Sequence, residues 1–564
     1  MDRRLAIKSF IGTGALAGAL LPLGLAQQPV AAEGKSLIRN PRSFGARGDG
    51  YTKDTLSIQN AIDDAADAGG GIVYIPPGVY LIGTVVLKSN VTVYLEAGAT
   101  LLGSTDLADY SMPPEPAALI NNPNTRHLIF AFRAENIGLM GLGTIDGQSS
   151  KFIGPLDKPA PLRDDLWHLT SAAQWQRRQR ISPMIEIAQC SNVRIENVTL
   201  QNAVGWTLRP VGCNSVVIHG VRIRNPDYAP NSDGIDPSSC ENVLISDCDI
   251  DTGDDAICIK SDNPYGPNKI TRNITVINCV LSSACNGFKI GSEGPNGFEN
   301  IVFSNSAIYS RADTRDDQRV ISGIDIIMPD GGWIEGVSIC NIAMRNARIP
   351  IFIRLQNLID KPQAKMTAWL RSIVISDVQA IGSIVTSSIM GIPGHPVEDV
   401  TLRNIHVQSN EKGIADWSRN LIPEREHGYA EGSAFGRFPA FGFYCRHVSG
   451  LRLSGIDVRS KTNDPRPMIH CEDVSDLEVT GLGGTPPSTG AEVVLLRNVR
   501  DSALHGNYAR PGTGIYLRVE GEQSHEISLF GNDLHRAVQK IQRSAEVSPR
   551  AVQIDGLPLE ADHL

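Results

Sequence analysis

The stretch Asn242-Val243-Leu244-Ile245-Ser246-Asp247-Cys248-Asp249-Ile250 is one copy of a nine-residue pattern that recurs along most of the chain. The first position is polar and the second, fourth, seventh and ninth are apolar, an alternation typical of short β-strands. Successive copies, some of them imperfect, start 23, 27, 31, 27, 36, 36, 27, 51 and 26 residues apart. The starts are Asn192, Ser215, Asn242, Asn273, Asn300, Gly336, Ser372, Asp399, Gly450 and Asp476.

A period in the twenties, with insertions of variable length, predicts a solenoid whose loops extend from one face. Because parallel strands in such a stack lie about 4.8 Å apart, each coil must bury its apolar row against the next. We therefore predict an all-β fold, a right-handed parallel β-helix that forms one domain. The composition agrees, since 54 Gly, 34 Pro and only 6% aromatic residues fit strands and turns around small aliphatic side chains.

The N-terminus has the features of an export signal. Arg3 and Arg4 precede an apolar run, rich in glycine and alanine, from Ile11 to Leu25. Small residues suit cleavage after Ala26 or Ala32. The many glycines in this run argue against a membrane span.

The stretch Arg3-Arg4-Leu5-Ala6-Ile7-Lys8 is similar to the twin-arginine signal of bacteria. Ala6 departs from that signal, which usually has a bulky residue there, so the twin-arginine and general export routes both stay open. We expect the mature protein to be periplasmic or extracellular, without membrane attachment after cleavage of the signal.

The ten cysteines are spaced as ladders of buried side chains. Cys190, Cys213 and Cys240 each precede a repeat start by two residues, and Cys248 and Cys279 each follow one by six. The chain lacks the paired C-x-x-C spacing of a zinc site. We interpret most of these cysteines as structural, and we expect neither a metal nor another cofactor.

Ahead of the repeats, Asp54 or Thr55 can cap a short amphipathic helix with apolar residues at positions 58, 61 and 62. Gly69, Gly70 and Gly71 end it. Such a helix would close the open end of a solenoid. The predicted organisation is an export signal peptide (1–32), an N-terminal cap with the first coils (36–105), a catalytic β-helix (106–553) and a C-terminal tail (554–564).

Two acidic motifs flank the strand quoted above. Asn231-Ser232-Asp233-Gly234-Ile235-Asp236 precedes it and Thr252-Gly253-Asp254-Asp255 follows it. Because they lie about one repeat apart, Asp233, Asp254 and Asp255 should meet on neighbouring coils. Clustered acids raise one another's pKa, so that one can stay protonated near neutral pH. The alternative is that these acids are turn residues or calcium ligands.

These residues resemble glycoside hydrolase family 28, the polygalacturonase family of pectin-degrading enzymes, as a diverged bacterial member of the pectin lyase-like β-helix superfamily. The resemblance rests on Phe44-Gly45-Ala46 with Asp49-Gly50, on the two acidic motifs and on Ile257-x-Ile259-Lys260, and it spans residues 40–540. It implies inverting hydrolysis, in which one carboxyl protonates the leaving oxygen and a carboxylate activates water. By this resemblance Asp254 is the general acid, and Asp233 and Asp255 hold and deprotonate the water.

The chain departs from the family pattern on the next two coils. Asn286 should stack beside Asp255, because each lies 13 residues after a repeat start. The resemblance implies a histidine at the position of Asn286. One coil further, where the family has Arg-Ile-Lys to bind the substrate carboxylate, this chain has Gly323-Ile324-Asp325.

These departures bear on the substrate. An aspartate in place of a carboxylate-binding arginine would repel galacturonate, and a net charge of −9 gives no general attraction for an acidic polymer. We expect a pectin-like plant or microbial polysaccharide or oligosaccharide other than plain polygalacturonate. If Gly287 and Gly323 align, Lys289 stacks on Asp325, either as a substrate-binding cation or as its ion-pair partner. The candidate substrate-binding residues are Asn231, Asp236, Lys260, Asn286, Lys289 and Trp206.

Two other function classes stay open. A polysaccharide lyase on the same fold would use Lys289 as base and the acids to bind calcium, and a non-catalytic carbohydrate-binding solenoid would need neither. No basic stripe marks a nucleic-acid-binding surface. We expect a monomer whose partner is its saccharide substrate.

Overall fold

The alternating apolar residues form β-strands that pair in parallel from one coil to the next. The computed structural model describes residues 37–111, 126–157, 175–177, 181–267, 269–310, 320–357, 368–426 and 431–558. Within these ranges, one 34-stranded sheet system contains most strands, and nearly all its pairings are parallel. The prediction of a parallel β-helix is confirmed. The predicted export signal lies outside the described residues.

The N-terminal coils combine short strands with the single α-helix of the described residues, α1 (Thr55–Asp67). Their strands are β1 (Ile38–Arg39), β2 (Asp49–Lys53), β3 (Gly71–Ile75), β4 (Gly78–Ile82), β5 (Val85–Val86), β6 (Val91–Leu95), β7 (Ala99–Gly103), β8 (Ile129–Phe132), β9 (Glu135–Gly141), β10 (Thr144–Asp146), β11 (Ile153–Pro155), β12 (Trp175–Arg177) and β13 (Ile185–Ala188).

The central coils, which contain both acidic motifs, have strands of three to thirteen residues. These are β14 (Ser191–Glu196), β15 (Thr199–Gln201), β16 (Leu208–Val211), β17 (Asn214–His219), β18 (Arg222–Arg224), β19 (Glu241–Ser246), β20 (Asp249–Thr252), β21 (Ile257–Ile259), β22 (Thr271–Ile277), β23 (Val280–Ser283), β24 (Phe288–Ile290), β25 (Gly297–Tyr309), β26 (Ser322–Met328) and β27 (Trp333–Arg345).

The C-terminal coils include the longest strand of the described residues, β32, with 18 residues. They are β28 (Ile349–Leu355), β29 (Trp369–Ser383), β30 (Ser387–Met390), β31 (Val397–Ser409), β32 (Phe443–Ser460), β33 (Ile469–Thr480), β34 (Gly483–Gly484), β35 (Glu492–His505), β36 (Ile515–Glu520), β37 (His525–Phe530), β38 (Gln539–Arg543), β39 (Val552–Ile554) and β40 (Leu557–Pro558). Short 3-10 helices span Pro41–Phe44, Leu107–Asp109, Ser149–Lys151, Ala415–Arg419, Gly432–Phe435, Ser488–Gly490 and Pro549–Ala551.

Every repeat start has a left-handed backbone conformation. The φ angles range from 50° at Asp399 to 75° at Gly450. Glycine adopts this conformation freely, and asparagine and aspartate adopt it more readily than other residues. Several starts also form an asparagine ladder: Asn273 Nδ2 donates to Asn242 Oδ1 at 2.9 Å, and Asn300 Nδ2 donates to Asn273 Oδ1 at 2.9 Å. The polar first position of the repeat therefore marks the bend between strands.

The apolar positions of the repeat fill the interior of the coils. Ile245, Ile250 and Leu281, for example, are fully buried. The cysteine prediction is confirmed for the ladder of Cys190 and Cys213, whose thiols are free and buried. Burying such rows stabilises the fold by about 25 cal/mol per Å² of apolar surface.

Helix α1 covers the N-terminal coils, with Ile58, Ala61 and Ile62 fully buried, as predicted. The capping prediction was wrong in its detail. Asp54 holds the N-cap position, but its carboxylate accepts hydrogen bonds from the backbone N–H groups of residues 47 and 48 and makes no capping bond. Thr55 Oγ1 accepts from Gly83 N at 2.8 Å, because contacts with the neighbouring coil outweigh the local preference. In the described part of the chain, no helix is both long and apolar enough to cross a membrane.

The left-handed position of Asn273 generates a stability prediction. Asn273→Val should lower the free energy of unfolding by about 2 kcal/mol, because a β-branched residue is strained there and the ladder loses two hydrogen bonds. Asn273→Gly, the matched control, loses the same hydrogen bonds without the strain and should cost less than about 1 kcal/mol. Denaturant-induced unfolding of both variants gives the comparison. Equal losses would show that the backbone conformation does not matter.

Candidate active site

Coil register brings the two acidic motifs together. Ile235 pairs with Ile257, and Ile257 pairs with Phe288 on the following coil. The residues two positions earlier in each coil are Asp233, Asp255 and Asn286, so these three share one column. Backbone hydrogen bonds connect the three coils at this column. Gly234 N donates to Asp255 O, and Ala256 N donates to Asn286 O, each at 2.9 Å.

The glycines and hydroxyl residues of the two motifs hold the backbone in close contact. A Cβ at Gly234 would lie 2.3 Å from Ala256 O, and one at Gly253 would lie 2.5 Å from Pro226 O. Ser232 Oγ accepts from Gly253 N at 3.0 Å. Glycine at these two positions therefore permits a close approach of the backbone that a larger residue would block.

Asp254 is half-buried, and three hydrogen bonds hold its carboxylate. Asp255 N donates to Oδ1 at 2.9 Å, and the backbone and side-chain nitrogens of Asn231 donate to Oδ2 at 3.2 and 3.4 Å. Burial, followed by the negative charges of Asp255 and Glu431, raises the pKa of Asp254 to about 6. Asp254 therefore keeps its proton into the mildly acidic range.

Asp255 is buried, but its carboxylate is compensated. Asn286 Nδ2 donates to Oδ1 at 2.8 Å, and Lys289 Nζ lies 3.0 Å from Oδ2. Burial alone would raise the pKa of Asp255, but the positive charges of Lys289 and Lys260 and the hydrogen bonds outweigh it and lower that pKa. Asp255 is therefore the ionised partner of Asp254, and the predicted stacking of Asn286 beside it is confirmed by contact.

Asp233 lies next to a second lysine. Lys260 Nζ lies 3.7 Å from Asp233 Oδ2 and 2.7 Å from Glu293 Oε2. Burial, Asp236 and Asp254 together raise the pKa of Asp233 despite Lys260. Glu293 behaves in the opposite way, because Lys260 overcomes its burial and lowers its pKa to about 2.

Asp236 belongs to the same cluster but is fully buried. Neither carboxylate oxygen accepts a hydrogen bond from the described residues. Burial raises the pKa of Asp236 well above its usual value, against the attraction of Lys260. Asp236 thus affects the cluster through its charge, which raises the pKa of Asp233, rather than through hydrogen bonds.

Trp206 lies one coil before Asp233, among cations. Lys260 Nζ is 4.6 Å and Arg209 Cζ is 4.9 Å from the centre of its ring system. Such cation–π contacts are worth about 0.5–2 kcal/mol. They fix the indole at the edge of the acidic cluster, where it is half-buried.

The second predicted alignment also holds, because Lys289 pairs with Asp325 in the strand register. All nine candidate residues therefore lie on four successive coils. The structure adds three residues that sequence reasoning missed: Arg209, Glu293 and Glu431. Arg209 and Glu293 lie on coils that the candidate residues already occupy, and could have been found by following the register further along those coils. Glu431 lies outside the repeat, in the long insertion between the repeat starts Asp399 and Gly450.

The calcium alternative fits this donor set poorly. Single ligand atoms of Asp254, Asp255 and Cys285 lie within 4.8 Å of one another. Calcium takes six to eight oxygen ligands, whereas a thiolate suits softer ions. Lys289, already bonded to Asp255, adds a positive charge that opposes a cation there.

Comparison with known proteins gives a family match. The model of the family described as "Glycosyl hydrolases family 28" matches residues 72–420, which include both acidic motifs, Asn286, Lys289 and Asp325. A probable polygalacturonase of Vitis vinifera is 27% identical over 403 residues, covering 66% of this chain and 74% of that protein. An endo-polygalacturonase of Pectobacterium carotovorum subsp. carotovorum is 26% identical over 366 residues, covering 63% and 84%.

A solved structure also matches. The family 28 exopolygalacturonase of Yersinia enterocolitica is 20% identical, with a TM-score of 0.56, over 82% of this chain and 78% of that one. At this identity the similarity supports the β-helix fold alone.

The buried pair of Lys289 and Asp255 generates a second stability prediction. Lys289→Met should cost about 3 kcal/mol at pH 7, because it leaves Asp255 charged and buried without its cation. The lowered pKa of Asp255 stabilises the folded state above the ordinary value of about 3.9, and this contribution is lost as the pH falls through the folded value. The loss of unfolding free energy caused by Lys289→Met should therefore become smaller below pH 4. Denaturant-induced unfolding at several pH values measures it.

The matched control is Lys289→Met combined with Asp255→Asn. Removing the orphaned charge should recover part of the stability at pH 7. An equal cost of Lys289→Met at pH 7 and pH 3 would contradict the assigned pair.

Proposed function

This chain belongs to glycosyl hydrolase family 28, and from that premise we propose that it hydrolyses its pectin-like substrate by an inverting acid/base mechanism. It is a glycoside hydrolase, as the family match and the polygalacturonase relatives show. The observation that carries the mechanism is the contrast between two adjacent acids, Asp254 with a raised pKa and Asp255 with a lowered one. Paired carboxyl groups with separated pKa values are what general acid and base roles require.

In this proposal Asp254 donates its proton to the glycosidic oxygen as the bond breaks. Asp255 and Asp233 hold a water molecule, and Asp255 accepts its proton, because Lys289 and Asn286 keep it ionised. Water attacks the opposite face of the sugar, so the configuration at the anomeric carbon inverts. The raised pKa of Asp233 supports a role in orienting the water rather than in deprotonating it.

The environment of Lys289 supports hydrolysis over lyase chemistry. Its ammonium group is bonded to Asp255 at 3.0 Å, inside the acid cluster. A lyase would need a lysine able to give up its proton and then abstract another from the substrate. An ammonium group held between carboxylates is poorly suited to that step.

For the substrate, we propose a pectin-like saccharide other than plain polygalacturonate. The position where the family resemblance implies a carboxylate-binding Arg-Ile-Lys contains Asp325, which is fully buried beside Lys289.

We further propose that residues 1–32 direct export. Mass spectrometry of the mature N-terminus tests that step.

Product analysis against a panel of pectic polysaccharides and oligosaccharides tests the function. New reducing ends without ultraviolet absorbance support hydrolysis and identify the sugar. Unsaturated, absorbing products would indicate a lyase, and an absence of products would contradict the proposed activity.

Asp254→Asn should lower kcat at least about a hundredfold, because a general acid contributes on the order of 10²–10⁴ and asparagine cannot donate a proton in its place. The same variant should unfold at a temperature close to that of the unmodified protein. Asp416→Asn, an exposed acid in the long insertion, is the matched control. Full activity of Asp254→Asn would remove the catalytic assignment.

The pH profile of kcat/KM should have its alkaline limb near pH 6, because Asp254 loses its proton there. Activity should fall about tenfold per pH unit above that limb. The acid limb should lie below about pH 4, because the pKa of Asp255 is lowered from its ordinary value. Initial rates from pH 3 to pH 9 measure both limbs, and constant activity from pH 6 to pH 9 would contradict the role of Asp254.

A further inference from the structure

Asp325 has the features of a ligand-binding group that the reaction itself does not use. Its side chain is fully buried, and no hydrogen bond from the described residues reaches either carboxylate oxygen. A buried carboxylate without hydrogen bonds is costly, and hydrogen bonds from a bound molecule would lower that cost. Its strand neighbours are Lys289 on one side and Phe352 on the other.

Glu431 brings a second carboxylate to the same place from the insertion between β31 and β32. Its Oε1 lies 3.8 Å from Cys285 Sγ, in the coil that contains Asn286 and Lys289. Its negative charge contributes to the raised pKa of both Asp254 and Asp325. Glu431 therefore acts electrostatically on the general acid and on the unsatisfied aspartate together.

The segment that follows Glu431 is firmly packed. A Cβ at Gly432 would lie 2.3 Å from Ile349 Cδ1, so the backbone lies directly on β28. Phe435 packs on Phe352 with ring centres 6.1 Å apart. These contacts belong to an apolar wall formed by Ile327, Ile349, Phe352, Val385, Met390, Ile422, Phe435, Phe438 and Tyr444.

Buried arginines contact an earlier part of the insertion, around Ile422 and Glu424. Arg354 donates to the backbone carbonyls of Gly391 and Glu424, and Arg446 donates to Ile422 O at 2.7 Å. The polar row of Lys289 and Asp325 thus ends at a fixed apolar wall. Asp325 therefore lies between the lysine that contacts Asp255 and a phenylalanine of the apolar wall.

We propose that Asp325 and Glu431 form a subsite next to the catalytic acids that accepts an uncharged sugar residue and rejects a uronate. This inference rests on the proposed hydrolysis of a pectin-like saccharide and specifies the sugar at one subsite. A hydroxyl group both donates and accepts, so it can satisfy Asp325 with or without a proton. A uronate carboxylate only accepts hydrogen bonds and meets the negative charge of Glu431, while the charge of Lys289 is already offset by Asp255.

Trigalacturonate and its fully methyl-esterified form are suitable probes because they share a sugar skeleton and differ in charge. Binding of each is measured by titration calorimetry in the Asp254→Asn background, which prevents turnover. The ester should bind at least tenfold more tightly than the acid. Glu431→Gln should strengthen binding of the acid at least tenfold and change binding of the ester less than threefold.

Asp416→Asn, which removes a charge from an exposed site in the same insertion, should leave both dissociation constants unchanged. Asp325→Asn, checked for folding by its thermal midpoint, should also strengthen binding of trigalacturonate relative to the ester. The proposal is overturned if trigalacturonate binds the Asp254→Asn protein as tightly as its methyl ester does, or if adding Glu431→Gln leaves the ratio of the two dissociation constants unchanged. It is also overturned if neither saccharide binds, with or without Glu431→Gln. Hydrolysis by the unmodified protein is scored separately, so failure of this subsite and failure of the proposed activity are distinguishable.

Discussion

The parallel register of the coils is the constraint on which the rest of the structure depends. Parallel strands lie about 4.8 Å apart, so a residue at one position of a coil must face its equivalents on the coils above and below. This register places Asp233, Asp255 and Asn286 in one column and Lys289 beside Asp325 in another. Because ladders of backbone hydrogen bonds fix the register, the side chains cannot avoid the electrostatic cost of their proximity by moving apart.

The electrostatic cost differs from one acid to the next, and this difference gives the acids different protonation states. Lys289 contacts Asp255, and Lys260 contacts Glu293, so these two carboxylates stay ionised. Asp254 has hydrogen bonds but no cation in direct contact among the described residues, and its proton is retained to about pH 6. The placement of two lysines among several acids thus separates a proton donor from a proton acceptor.

Much of this arrangement could be predicted from sequence, because the fold repeats. The repeat starts coincide with left-handed backbone positions, and counting from them placed Asn286 on Asp255 correctly. Local rules were less reliable: Asp54 makes no capping bond because a neighbouring turn uses its carboxylate. Glu431 could not be found, since it lies in an insertion that has no repeat to supply a register, and only the packing of that insertion brings it to the acids.

The stereochemistry of the product tests the central claim most directly. Proton NMR during the first minutes of hydrolysis, on whichever pectic substrate proves active, identifies the anomer before mutarotation. If Asp254 protonates the leaving oxygen while Asp255 deprotonates a water that Asp233 orients, the product has inverted configuration. A product of retained configuration would mean that one of these acids acts as a nucleophile, which would contradict the assigned roles.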